Sequence, residues 1–103
     1  MGYCTDFELT IHEGFVDKEQ FIDDLNEITT YTWYDDFSLC DAKWYHHNED
    51  MKRISEKYKN VVFKLHGTGE EGGDIWEAYY KNGKMQFCPA MITFDQFNES
   101  KLK

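Results

Sequence analysis

From residue 3 to residue 11 the chain alternates. Tyr3, Thr5, Phe7, Leu9 and Ile11 fall on one side, and Cys4, Asp6, Glu8 and Thr10 on the other. A period of two over that length predicts a strand with one buried face and one wet, acidic face, broken at Gly14. The period then changes. Phe21, Ile22, Leu25 and Ile28 form a stripe at i, i+1, i+4 and i+7, which predicts a helix. Asp17 stands where an N-cap accepts free backbone N–H groups, Gln20 sits where a capping box expects it, and Val16 can staple to Phe21. The β-branched and aromatic run Thr29-Thr30-Tyr31-Thr32 ends this helix.

The aromatic stretch YTWYDDFSLCDAKWY at 31–45 predicts a strand centred on Phe37–Trp44, but its alternation does not fix which residues point inward. Asn48 is expected to cap a second helix, with Met51, Ile54 and Tyr58 inside and Lys52, Arg53, Glu56 and Lys57 outside. Three strands follow, over Val61–Leu65, Asp74–Lys81 and Lys84–Cys88. Asn82-Gly83 joins the last two as a hairpin, because both residues tolerate positive φ. Pro89 ends the ladder, and AMITFDQF at 90–97 adds a short strand or turn before a lysine-bearing tail. The order is β-α-β-α-β-β-β over a single domain, residues 1–103. Burying both helical stripes most simply gives a two-layer α+β sandwich, a mainly antiparallel sheet with two helices on one face.

Composition agrees with a folded domain, at 41% hydrophobic and 17% aromatic. No apolar run approaches the ~20 residues of a membrane span, and the N-terminus carries no signal-peptide pattern. Asp6 stands where a myristoylation signal needs Ser or Thr. Cys4, Cys40 and Cys88 are odd in number and widely spaced, which suggests reduced thiols in a cytoplasmic protein. Charge changes the picture more. Net charge is −9, and residues 1–50 hold thirteen acids against Lys18 and Lys43 alone. That imbalance argues against direct binding to nucleic acid or an anionic membrane, and offers an acidic face to a basic partner.

Gly67-Thr68-Gly69-Glu70-Glu71-Gly72 spells G-x-G-x-x-G. A phosphate loop runs from a strand into a helix whose N-terminus supplies the N–H groups. Here an alternating, strand-like run follows, and Glu70, Glu71 and Asp74 would repel phosphate, so the segment reads as an acidic hairpin turn. His46-His47-Asn48-Glu49-Asp50 resembles a metal cluster in composition, but adjacent histidines on an extended segment diverge and no H-E-x-x-H spacing exists. A Cys–His pairing of Cys4 with His12 or His66 has no support from spacing. Neither metal nor cofactor is expected, and the chain does not read as an enzyme. The aromatic set from Tyr31 to Tyr80 lacks the basic groove that base stacking needs, and suits a core with some exposed anchors for a protein partner.

Two motifs carry a resemblance. Trp44-Tyr45-His46-His47-Asn48-Glu49-Asp50-Met51 fits W-Y-x-H-x-x-D-M, and Gly73-Asp74-Ile75-Trp76-Glu77-Ala78-Tyr79-Tyr80-Lys81-Asn82-Gly83-Lys84 fits G-D-x-W-x-x-Y-[FY]-x-N-G-K. Over roughly residues 43–87 the chain resembles small proteins carried by bacteriophages and mobile elements. The resemblance supplies no catalytic residues and leaves the acidic residues 1–42 outside it. It implies a phage-type protein in the host bacterial cytoplasm, and such small acidic proteins include anti-CRISPR and anti-restriction inhibitors. The expectation is an inhibitor of a DNA-binding defence nuclease, a CRISPR-associated nuclease first, acting by charge mimicry of DNA: carboxylates occupy the lysines and arginines that hold the phosphates. The candidate partner-binding residues are Asp6, Glu8, Asp23, Asp24, Glu27, Asp35, Asp36, Glu70, Glu71 and Asp74. The alternative is an interaction module or phage complex subunit whose acidity serves only solubility. Oligomeric state stays open.

Overall fold

The computed structural model describes residues 3–91 and 96–102. The chain runs β1 (Thr5–Glu13), α1 (Lys18–Thr29), β2 (Ser38–Ala42), α2 (His47–Lys57), β3 (Val62–Gly69), β4 (Ile75–Lys81) and β5 (Lys84–Pro89). A short 3-10 turn, Glu99–Lys101, follows and was not expected from the sequence. All strand pairs are antiparallel, in the order β2-β1-β3-β4-β5. Part of the stretch expected to add a strand or turn at 90–97 lies outside the described residues. Among the described residues no helix is long and apolar enough to cross a membrane.

Cross-strand register builds the buried face in rows. Phe7 faces Gly67 and Trp76, Leu9 faces Leu65 and Ala78, and Ile11 faces Phe63 and Tyr80. Phe21 and Leu25 of α1 and Met51 and Ile54 of α2 close over these rows, all fully buried. Phe21 stacks on Phe63 with ring centroids 5.2 Å apart. Among the described residues the opposite face of the sheet carries no second layer, as two helices over one face require.

The large core aromatics bring polar atoms inside, and each is met by a helix or its end. The Trp33 indole donates to Thr29 Oγ1 at 3.0 Å, the Trp44 indole to Asp50 Oδ2 at 2.7 Å, and the Tyr80 hydroxyl to Asn48 Oδ1 at 2.6 Å. Asn48 therefore lies inside α2 rather than capping it. The helix starts one residue earlier, at His47, and its cap position, His46, makes no side-chain cap bond. Asp17 does cap α1, accepting from Gln20 N at 3.3 Å, while the Gln20 side chain turns to Asp24 instead of closing a capping box.

The ambiguous phase of β2 has a local cause. Leu39 and Ala42 are both buried although three residues apart, because Asp41 adopts φ 50° and the pairing with β1 shifts register between Thr5 and Phe7. A bulge adds a residue to one strand and resets which side chains face in. No period can show that.

The glycine-rich segment is only partly a turn. Gly67 and Gly69 are strand residues of β3, and the reversal is confined to the residues between Gly69 and Ile75. Gly67 is required by packing: a Cβ there would collide with Cε2 and Cζ2 of Trp76, which lies across it. The Gly67→Ala variant is expected to lose about 1–3 kcal/mol of stability from overpacking. Gly72→Ala, where nothing lies within 4 Å of the added Cβ, should stay near wild type. Urea unfolding of both variants checks the contrast.

Asp24 is the buried acid of this core. Burial opposes its ionisation, but hydrogen bonds from the Tyr58 hydroxyl (2.6 Å), Lys57 (3.2 Å) and Gln20 (3.3 Å) outweigh that and hold its carboxyl below the usual range. A carboxyl depressed in the folded state adds stability above its unfolded value of about 3.9, and that stability is lost as pH falls through the lower folded value. Asp24→Ala should cost about 1–3 kcal/mol at pH 7, since it strands the Tyr58 hydroxyl. The gap from wild type should narrow below about pH 4. Denaturation midpoints across pH 2–7 give the answer, and a gap constant over that range would refute the assignment.

Candidate functional site

The first half of the chain is acidic, and the fold distributes those acids unequally between the two layers. Strand alternation puts Asp6 and Glu8 on the open side of β1, because Phe7 and Leu9 between and beyond them are buried. Side chains two apart on a strand repeat at about 6.6–6.8 Å. Next to them, in the sheet's edge strand, Asp41 donates its backbone N–H to Asp6 Oδ1 at 2.8 Å. Glu8 pairs with Ser38, and Asp36 caps that strand by accepting from Ser38 N at 3.3 Å and Ser38 Oγ at 3.0 Å. Asp35 is exposed beside it.

The β3–β4 turn brings its own acids to the same end of the sheet. Thr5 pairs with Gly69, so the turn begins beside the start of β1. Glu70 reaches back to accept from Cys4 N at 2.9 Å. Asp74 accepts from the Tyr3 hydroxyl, which in turn accepts from Glu71 N at 3.1 Å. That bond to Asp74 raises the Tyr3 pKa, keeping the phenol a donor.

Asp6, Glu8, Asp35, Asp36, Asp41, Glu70, Glu71 and Asp74 thus gather in a tract along the β2 edge and around the adjoining end of the sheet, with Asp6 and Glu8 on its open face and Asp74 on the helix-facing side beside Phe7 and Trp76. Among the described residues none of them is ion-paired to a lysine or arginine; the carboxylates that are belong to Asp24 and Glu77. Asp6, Asp36 and Glu70 are tethered to backbone N–H groups and Asp74 to the Tyr3 hydroxyl, so these four carboxylates are held rather than left to free rotamers. Lys43 is close enough to Cys4 to act on its thiol, and on the open face His66 of β3 stands directly opposite Glu8.

Three sequence candidates lie elsewhere. Asp23 and Glu27 are exposed on α1, in the other layer, and Glu27 shares a groove with Arg53 and Lys57. Asp24 is buried and bonded to Lys57 and Tyr58. The helical period explains the separation: a polar position on a helix is legible, but which acids a neighbouring helix neutralises is not. Asp41 is the residue that sequence reasoning missed. It joins the tract through the bulge, which no alternation pattern reveals.

The remaining chemistry-bearing groups do not converge. His46 is exposed beside Glu49 at 3.2 Å, while His47 is half-buried against Trp76. Burial lowers the His47 pKa, so the ring is neutral near pH 7. His66 meets Glu77 at 3.3 Å on the open sheet face, with Lys64 at 3.8 Å from the same carboxylate oxygen. Burial and Glu70 raise the Cys4 pKa, the opposite of what an activated thiolate needs. Among the described residues no group of three or more His, Cys, Asp or Glu side chains is arranged to hold a metal ion. Comparison with protein-family models, with curated proteins and with solved structures found no match to this chain.

Proposed function

We propose that this protein is a non-enzymatic inhibitor that enters the basic nucleic-acid-binding cleft of a host DNA-binding nuclease and excludes DNA from it. The first class to consider is the RNA-guided CRISPR nuclease, whose arginines read a short duplex motif and accept carboxylates in bidentate pairs. The host bacterial cytoplasm is the compartment in which such an inhibitor works. One observation supports the reading: eight carboxylates along one edge and end of the sheet, none of them in ion-pair contact with a lysine or arginine among the described residues.

The physics is that of DNA binding with the polyanion replaced. A nuclease holds DNA through lysines and arginines that displace the counterions around the phosphates. Carboxylates held in place reach those side chains without first paying for their own ordering, and desolvation in a cleft strengthens each pair. The tract is sparser than duplex DNA, which carries a charge about every 1.7 Å of its axis. Shape as well as charge must therefore match, and the fixed β2 edge provides it.

A second reading rests on a separate observation. Phe15, Tyr34, Tyr45 and Phe87 are exposed, at 97%, 67%, 60% and 51%, and large rings of this kind anchor protein interfaces. In that reading the acids serve solubility and the rings hold a partner in a phage complex.

The two readings separate in one experiment. A purified CRISPR nuclease loaded with guide RNA is mixed with labelled target duplex, and displacement of the duplex is followed while the protein is titrated in. The Asp6→Lys, Glu8→Lys, Asp35→Lys, Asp36→Lys variant should lose displacement by a hundredfold or more. The Asp23→Lys, Glu27→Lys variant on the helix layer should retain it. With the duplex omitted, direct binding of the wild-type protein to the loaded nuclease should weaken at least roughly tenfold as salt rises from about 0.1 to 0.5 M, since exposed charge pairs are screened within a Debye length. Equal effects of the two charge reversals, or binding that survives both but is lost in Tyr34→Ala, Tyr45→Ala, would transfer the function to the aromatic anchors.

A further inference from the structure

At the end of the sheet where β1 begins, the two layers part around a cavity of about 210 Å³. Its inner wall is aromatic. Phe7, Trp44 and Trp76 are buried there, with Trp44 and Trp76 centred 5.1 and 6.0 Å from Phe7. His47 stacks on Trp76 at 4.9 Å and an interplanar angle of 21°. Its Nδ1 is buried without a hydrogen-bond partner among the described residues. Polar groups gather at the less buried side, where Asp74 accepts the Tyr3 hydroxyl on one oxygen. A carboxylate offers about four lone-pair sites, so most of its accepting capacity remains.

The two strand glycines shape this cavity. Gly67 leaves room for Trp76 to lie across β3, and a Cβ on Gly69 would strike both Asp74 Oδ2 and the Tyr3 hydroxyl. The glycine-rich segment that spells a phosphate motif thus makes room for a site of the opposite charge preference. Asp74 lies in the cavity, and Glu70 and Glu71 lie on the same turn. An anion is repelled there and a cation attracted. His47 adds no opposing charge, being neutral near pH 7.

Size limits the occupant. An apolar cavity of roughly 150 Å³ holds benzene, and drug-sized sites begin near 300 Å³. This one therefore suits a single ring or short branched chain with one small arm. We propose that the cavity binds a small amphipathic amine, its apolar body against Phe7, Trp44 and Trp76 and its ammonium on Asp74. The site goes beyond the binding of a basic protein partner. It shares Asp74 with the acidic tract, but its aromatic wall has no part in charge mimicry.

The test uses the full chain alone, so its failure leaves the nuclease reading standing. 2-Phenylethylamine, 2-phenylethanol and phenylacetate, which differ chiefly in end-group charge, are titrated against ¹⁵N-labelled protein while the indole N–H signals are followed. The amine should shift the Trp44 and Trp76 signals saturably and leave that of Trp33 near its starting position. The alcohol should bind at least roughly tenfold more weakly, as expected when one charge-assisted hydrogen bond is lost. Phenylacetate should cause no saturable shift. Asp74→Asn should bring the amine down to the alcohol's level, and Asp74→Glu, which keeps the charge, should recover most of the affinity. Absence of a saturable amine shift, equal binding of amine and phenylacetate, or an unchanged affinity in Asp74→Asn would each overturn the proposal.

Discussion

The structure depends on directional hydrogen bonds from core aromatics to the helix layer. A five-stranded sheet with two helices on one face has a thin core, and 17% of this chain is aromatic. Large rings fill space efficiently but carry polar atoms that cost free energy when buried alone. Trp33 bonds to Thr29, Trp44 to Asp50, Tyr58 to Asp24 and Tyr80 to Asn48. Each bond fixes where a helix sits, so the layers are positioned by geometry as well as by apolar contact. Ser55 extends the same logic by accepting the N–H of Gly83 at 2.8 Å, which ties the β4–β5 hairpin to α2.

This arrangement explains how much of the fold could be read in advance. Periodicity announced β1, α1 and β4 because each has one wet and one dry face. Asn82-Gly83 announced its turn through intrinsic backbone freedom, and both residues take positive φ, 50° and 79°. The elements misjudged are those whose local signal is overridden by a distant contact. Asn48 has the chemistry of a cap but is taken by Tyr80, thirty-two residues away. Gly67 and Gly69 have the chemistry of a turn but are held in β3, where their missing side chains admit Trp76, Asp74 and Tyr3.

The candidate site was legible in its charge and illegible in its boundaries. Asp6 and Glu8 follow directly from alternation in β1, and the acidity of the β3–β4 turn from its residues. Membership of the tract is decided by tertiary structure. Asp24 differs from Asp23 by one position and about 100° around a helix, yet one is a buried partner of Lys57 and Tyr58 and the other faces water. Asp41 enters by a bulge. The aromatic cavity shows the same dependence, since Tyr3, the Trp44–His47 stretch and Trp76 come from three separate segments.

The bulge at Asp41 also bears on how the protein behaves among copies of itself. An open sheet has two unpaired margins, and either can recruit another chain into a growing ribbon. Here one margin is five residues long and is kinked at Asp41, its one charged residue, by a left-handed backbone, and the other stops at Pro89. The β2 margins of two copies repel through their acids, and the kink leaves little straight backbone for a foreign strand to zip along. The feature that brings Asp41 beside Asp6 therefore doubles as a guard against fibrous self-assembly.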